Sequence, residues 1–84
     1  MSYTVILAKT AQKQFLALPK EVQERVAARL LSLEAKPRPA DVKKLKGRDG
    51  WRIRVSDYRV IYEIHDHILR VLVITIAHRR EVYR

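Results

Sequence analysis

Between Trp51 and Ile76 the sequence holds three strand-length runs, divided only by Ser56-Asp57 and by His65-Asp66-His67. Connections of two or three residues can only turn a chain back on itself, so these runs form an antiparallel meander. In the first run Trp51, Ile53 and Val55 alternate with Arg52 and Arg54. In the second, Tyr58, Val60, Tyr62 and Ile64 alternate with Arg59, Ile61 and Glu63. A period of two with one apolar side describes a sheet that needs something to cover one face. The third run, residues 68–76, is apolar on both sides over most of its length, which places it in the sheet interior.

The cover comes from the first half of the chain. Residues 3–8 are rich in β-formers and apolar on both sides, so they read as a first strand in a covered or central position. Thr10 can cap a helix carrying Ala11, Phe15 and Leu18 on one side. Pro19 ends that helix and is acceptable in the first turn of the next. The second helix spans Lys20–Ala35, with Val22, Val26, Leu30 and Leu33 as its buried stripe and Glu21–Arg25 as a favourable surface pair. Pro37-Arg38-Pro39 stops it and opens a loop running to Gly47. The fold class that follows is α+β: an N-terminal strand, a two-helix hairpin, then a three-strand antiparallel meander, with the helices packed on one face of the sheet. A chain of 84 residues has room for one such domain, 1–84.

Without cysteine, disulfides and thiol chemistry are excluded. The N-terminus lacks a basic lead followed by an apolar core, and no apolar stretch approaches bilayer length, so the expectation is a cytoplasmic protein with no membrane contact. His65-Asp66-His67 sits in a turn without an evident third ligand, so no metal site is expected. No glycine-rich phosphate loop or carboxylate pair is visible, and no small-molecule cofactor is expected.

The formal charge of +9 points to a polyanionic partner. The excess is uneven, with seven basic and two acidic residues between Lys43 and Arg59. If Trp51, Ile53 and Val55 face the helices, Arg52 and Arg54 stand on the open face, ~6.6 Å apart. The geometry of the Ser56-Asp57 turn decides whether Arg59 joins them. Lys43, Lys44 and Lys46 in the preceding loop and Arg79 beyond the last strand would extend the cationic surface. Arginine offers a planar fork matched to phosphate oxygens, so these residues are candidates for RNA backbone binding. Basic residues on the solvent side of a strand also serve solubility and edge protection. Histidine is the side chain suited to proton transfer near neutrality, which makes His78 a candidate proton donor. Tyr83 can stack on a base or present its hydroxyl to a phosphate.

Leu45-Lys46-Gly47, Trp51-Arg52-Ile53-Arg54-Val55, Tyr58-Arg59-Val60-Ile61-Tyr62-Glu63-Ile64 and His78-Arg79-Arg80-Glu81-Val82-Tyr83 together resemble the RelE/ParE toxin superfamily, more closely its RelE-like messenger-RNA interferases. The resemblance implies a toxin that cleaves messenger RNA in the ribosomal decoding site and is neutralised by a cognate antitoxin protein. It implies catalysis by Arg59, Arg79 and Tyr83 and RNA binding by Lys46. Arg52 and Arg54 fall where one branch of the family has lysines; the charge is kept, but arginine is a poorer proton carrier, which leaves electrostatic stabilisation as their role.

In the implied metal-independent reaction the 2′-hydroxyl attacks its neighbouring phosphate, leaving a cyclic phosphate and a free 5′-hydroxyl. Tyr83 would take the hydroxyl proton, since surrounding guanidinium groups favour the phenolate. Arg59, with Arg52 and Arg54, would neutralise the pentavalent phosphate, and Arg79 would hold the phosphate or assist the departing oxygen. Two alternatives remain at this level: a ParE-like DNA gyrase poison on the same scaffold, and a non-catalytic basic nucleic-acid-binding module.

Overall fold

The computed structural model describes residues 2–78. Arg79 and Tyr83 lie outside the described residues. The chain runs β1 (Thr4–Leu7), α1 (Lys9–Leu16), α2 (Lys20–Ala35), β2 (Lys43–Lys44), β3 (Trp51–Val55), β4 (Tyr58–His65), a 3₁₀ turn at Asp66–Ile68, and β5 (Arg70–His78). The five strands form one sheet in the order β1-β5-β4-β3-β2. The expected meander is β3-β4-β5, antiparallel throughout.

Two strand assignments differ from the sequence expectation. β1, read as covered or central, is covered on one face but lies at the sheet edge, paired in parallel with β5 from Thr4↔Arg70 to Leu7↔Val73. Its two-sided apolar character reflects packing of Val5 and Leu7 on the core, while Ile6 stays 38 % exposed on the other side. β2 forms inside the stretch read as loop, because Lys43 and Lys44 pair with Arg52 and Trp51 and so extend the sheet at its far edge. Two residues carry too little periodicity to be visible in a sequence.

Each helix begins where a proline or a strand hands it the chain. Ala8, not Thr10, stands at the cap of α1; its N–H is already bonded to the Val73 carbonyl at 2.8 Å, so strand pairing runs directly into the first helical turn. Pro19 precedes α2, whose first turn carries Glu21, the favourable sign at a helix N-terminus. Val26, Leu30 and Leu33 of α2 are buried against Ile53, Val55, Val60, Tyr62, Val71, Val73 and Ile76 of the sheet, with Ala11 and Leu18 completing the core. Beyond the end of β1, α1 takes over the edge of β5: the Gln14 side-chain carbonyl accepts the Ile76 N–H at 2.7 Å.

A bulge in β5 sets which side chains reach which face. Ile61 lies opposite Thr75, but Tyr62 lies opposite Val73, so Ile74 is the extra residue. Val73 and Ile76, three positions apart, therefore both enter the core. Past the bulge, Thr75 and Ala77 turn to the uncovered face. Tyr62 is fully buried, and its hydroxyl donates to the Pro37 carbonyl at 2.7 Å, tying the segment after α2 to the sheet. Burial pushes its pKa up to about 12.

Candidate functional site

The β3–β4 hairpin decides the position of Arg59. Val55 pairs with Tyr58 across a two-residue loop in which Ser56 alone has positive φ, +54°, as in a mirror-image hairpin turn. That register puts Arg54 directly opposite Arg59 and Arg52 opposite Ile61, all on the face away from the helices. β2 adds Lys43 opposite Arg52. On the other side of Arg59 the β5 partner is Ala77, whose small side chain leaves room.

The result is a shallow cavity of about 120 Å³ lined by Asp41, Lys43, Arg52, Arg54 and Arg59. Four of its five lining groups are cationic. Arg59, on a strand flanked on both sides, is only 8 % exposed, whereas Arg54 is open to solvent. Like charges directly opposite on neighbouring strands disfavour pairing. A local cost of this kind is what a fold retains at a site built for an anion. The volume suits one phosphate group rather than a larger ligand.

Asp41 was not singled out by the sequence, and nothing in the Pro39-Ala40-Asp41-Val42 segment marks it. Its carboxylate accepts two hydrogen bonds from the Arg29 guanidinium, at 2.9 and 3.0 Å. That contact holds Asp41 below the usual carboxylate range, so it stays charged and occupied by α2. Arg54 is held near the turn by a 3.1 Å bond from its Nε to the Ser56 carbonyl and by Asp57 at 3.9 Å.

The other predicted residues fall elsewhere. Lys44 points to the opposite face, its ammonium 4.8 Å from the centre of the Trp51 ring, because neighbours on a strand alternate. Lys46 is exposed on the loop between β2 and β3 and does not line the cavity. His78 pairs with Tyr58, which packs on the core, and their rings meet edge to face at 5.3 Å. It is thus on the helix side of the sheet, not beside Arg59. The structure brings together Lys43, Arg52, Arg54 and Arg59, and separates Lys44 and His78 from them. Among the described residues, no three His, Asp or Glu side chains converge to hold a metal ion, and no helix is long and apolar enough to cross a membrane.

Comparison with known proteins agrees with this fold. The family model described as the ParE toxin of the type II toxin–antitoxin system parDE matches residues 5–83. Among solved structures, the archaeal RelE–RelB complex from Pyrococcus horikoshii OT3 is similar at 33 % identity and a TM-score of 0.84, over 94 % of this chain and 97 % of that one. The isolated E. coli RelE toxin is similar at 30 % identity and a TM-score of 0.82, over 98 % and 92 %. The toxin–antitoxin complex RelBE2 from Mycobacterium tuberculosis gives 26 % and 0.84, over 94 % and 100 %. A search of curated protein sequences found no match. With a family model spanning nearly the whole chain and the same fold in RelE toxins, this chain belongs to the RelE/ParE superfamily of toxins of type II toxin–antitoxin systems.

Proposed function

We propose that this protein is a ribosome-dependent messenger-RNA endoribonuclease, the toxin of a toxin–antitoxin pair. The observation that carries the reading is the cavity on the uncovered sheet face, where Arg54 stands opposite Arg59 and Lys43 opposite Arg52 around a volume fit for one phosphodiester. An antitoxin partner is supported by the similar chains solved as RelE–RelB complexes.

In this reaction the 2′-oxygen forms a bond to phosphorus while the bond to the 5′-oxygen breaks. The products are a 2′,3′-cyclic phosphate and a 5′-hydroxyl. Tyr83 takes the proton of the 2′-hydroxyl, and a proton reaches the 5′-oxygen with help from Arg79. Arg59 is preorganised by its burial to meet charge developing on the equatorial phosphate oxygens, and Arg52 and Arg54 supply the surrounding field. His78, whose ring meets Tyr58 edge to face, is the alternative proton donor. The ribosome supplies alignment of the scissile linkage, which offsets the absence of a strong general base among these residues. Only RNA carries the hydroxyl that attacks.

Cleavage of messenger RNA on translating ribosomes by wild type, Arg59→Ala and Tyr83→Phe tests the reading. Both variants should lose most activity; unimpaired cutting by both removes the mechanism. A second reading, a DNA gyrase poison, is favoured by one observation, the ParE description of the matching family model. Mapping 5′-hydroxyl RNA ends in translating extracts beside gyrase cleavage assays separates the two.

A further inference from the structure

β4 outruns its neighbour. β3 begins at Trp51, opposite Tyr62, so Glu63, Ile64 and His65 have no β3 partner. The space beyond the end of β3 is a notch of about 370 Å³, three times the volume of the arginine cavity and within the range of ligand pockets. The Tyr62 carbonyl faces Gly50 at this edge. Backbone groups alternate along an antiparallel strand, so the N–H and C=O of Ile64 face the notch together. Gly50 lies under Leu45, where an added Cβ would meet the Leu45 side chain at 2.9 Å, and so keeps the floor of the notch low.

The side chains around this backbone pair are chemically mixed. Trp51 supplies an aromatic ring, with the Lys44 ammonium 4.8 Å and the Arg38 guanidinium 5.3 Å from its centre. Arg38 is already bonded to Asp66 at 2.8 Å, whereas Lys44 is exposed at the end of a flexible stem. Glu63, about one-third exposed, brings a carboxylate that accepts hydrogen bonds only; one of its oxygens already meets His65 Nε2 at 3.0 Å, which leaves the second for a ligand. An aromatic plane, one mobile cation, a donor–acceptor pair and a carboxylate acceptor match a flat heterocycle attached to a single phosphate. They match a polyanion poorly, because acidic groups balance the basic ones. Three residues of free edge are also short for an added peptide strand.

We propose that this notch binds one unpaired nucleobase, stacked against Trp51 in place of the Lys44 ammonium, which turns to the nucleotide's phosphate, while an N–H of the base donates to the second oxygen of the Glu63 carboxylate. The proposal rests on the RNA reading above and extends it. Glu63 and Arg59 are four residues apart on β4, ~13 Å, so a short single strand reaches both sites.

Trp51 is the only tryptophan in the chain, so its fluorescence reports on the notch directly. The experiment titrates AMP, GMP, CMP and UMP into protein carrying Arg59→Ala, which removes the central cation of the other cavity. Saturable quenching is expected with all four nucleotides. Glu63→Ala should weaken all four about tenfold, and Lys44→Ala should weaken nucleotides while leaving nucleosides unchanged. Absence of quenching, an affinity unchanged by Glu63→Ala, or quenching by an acidic peptide where nucleotides are silent overturns the proposal. Intact quenching together with a wild-type protein that cuts no messenger RNA faults the ribonuclease reading instead, and normal wild-type cutting without quenching faults only the notch.

Discussion

Alternate residues of β4 belong to two regions with opposite demands. Val60 and Tyr62 face the helices, fully buried among apolar side chains. Arg59, between them and Tyr58, faces away, opposite another arginine. The covered side follows ordinary packing chemistry, down to a hydroxyl that finds its hydrogen-bond partner at Pro37. The uncovered side breaks a local rule by setting like charges across from each other. One strand thus stabilises the fold with one set of residues and, in the proposed function, carries the charge that meets RNA with the other. Changes on the two faces should therefore separate into losses of stability and losses of activity.

The largest expected effect is on the covered face. Tyr62→Ala removes a fully buried aromatic and leaves the Pro37 carbonyl without its donor, at a cost of roughly 3–5 kcal/mol. Domains of this size have little more than that to lose, so the variant should be largely unfolded by chemical denaturation at room temperature. Arg59→Ala, on the opposite face of the same strand, should behave oppositely. Its midpoint in denaturant should fall far less than that of Tyr62→Ala, while messenger-RNA cleavage falls about 10²-fold or more. If Arg59→Ala unfolds the protein while Tyr62→Ala is tolerated, the division between the faces is wrong.

Much of this division was legible in the sequence, and the rest was hidden for definite reasons. The helix Lys20–Ala35 and the turns at Ser56-Asp57 and Asp66 are where periodicity and turn chemistry put them. The alternation in β3 correctly assigned Arg52 and Arg54 to the open face. Arg59 depended on hairpin register, and register is fixed by φ at Ser56, which a Ser-Asp pair does not announce as Asn-Gly would. Lys43 and Lys44 looked equivalent as a loop pair; a two-residue strand splits them between faces. His78 looked adjacent to the arginines in sequence, but the bulge at Ile74 sets its phase so that it meets Tyr58. A bulge leaves no composition signal in a run as uniformly apolar as β5. The edge position of β1 was hidden for a related reason: a strand sealed by helices on one side and paired with β5 is apolar whether or not it has a second neighbour.

A milder change on the uncovered face sharpens the comparison. Arg54→Gln removes an exposed cation and keeps Arg59, so folding should be unaffected and cleavage should fall less than for Arg59→Ala. For single-stranded RNA, the slope of log binding constant against log salt should become shallower by about 0.7 for each phosphate no longer neutralised. An unchanged slope would mean that Arg54 serves the turn, through its bond to the Ser56 carbonyl, and not the ligand.

The smallest expected effect lies away from both faces, at the end of the sheet, and concerns pH. Asp66 accepts hydrogen bonds from Arg38 at 2.8 and 3.2 Å and from the Tyr3 hydroxyl at 2.6 Å. These bonds, Arg38's first, lower its pKa from 3.8 to about 2. A carboxylate depressed in the folded state contributes stability that is fully present above its unfolded pKa and disappears as pH falls through the folded value. The Asp66 contribution should therefore be intact above about pH 4 and fade progressively toward pH 2. The same interaction raises the Tyr3 pKa, chiefly through the hydrogen bond to Asp66, so its share persists below the ordinary tyrosine range and disappears as pH rises through it. Asp66 is exposed and screened, so the acid limb should be shallow, and Asp66→Asn should flatten it further between pH 4 and 2 without altering RNA cleavage at neutral pH. A steep loss of stability in that window which survives Asp66→Asn would place the acid-sensitive group elsewhere, with Asp41 on Arg29 as the next to test, since its carboxylate is depressed by the same kind of interaction and borders the arginine cavity.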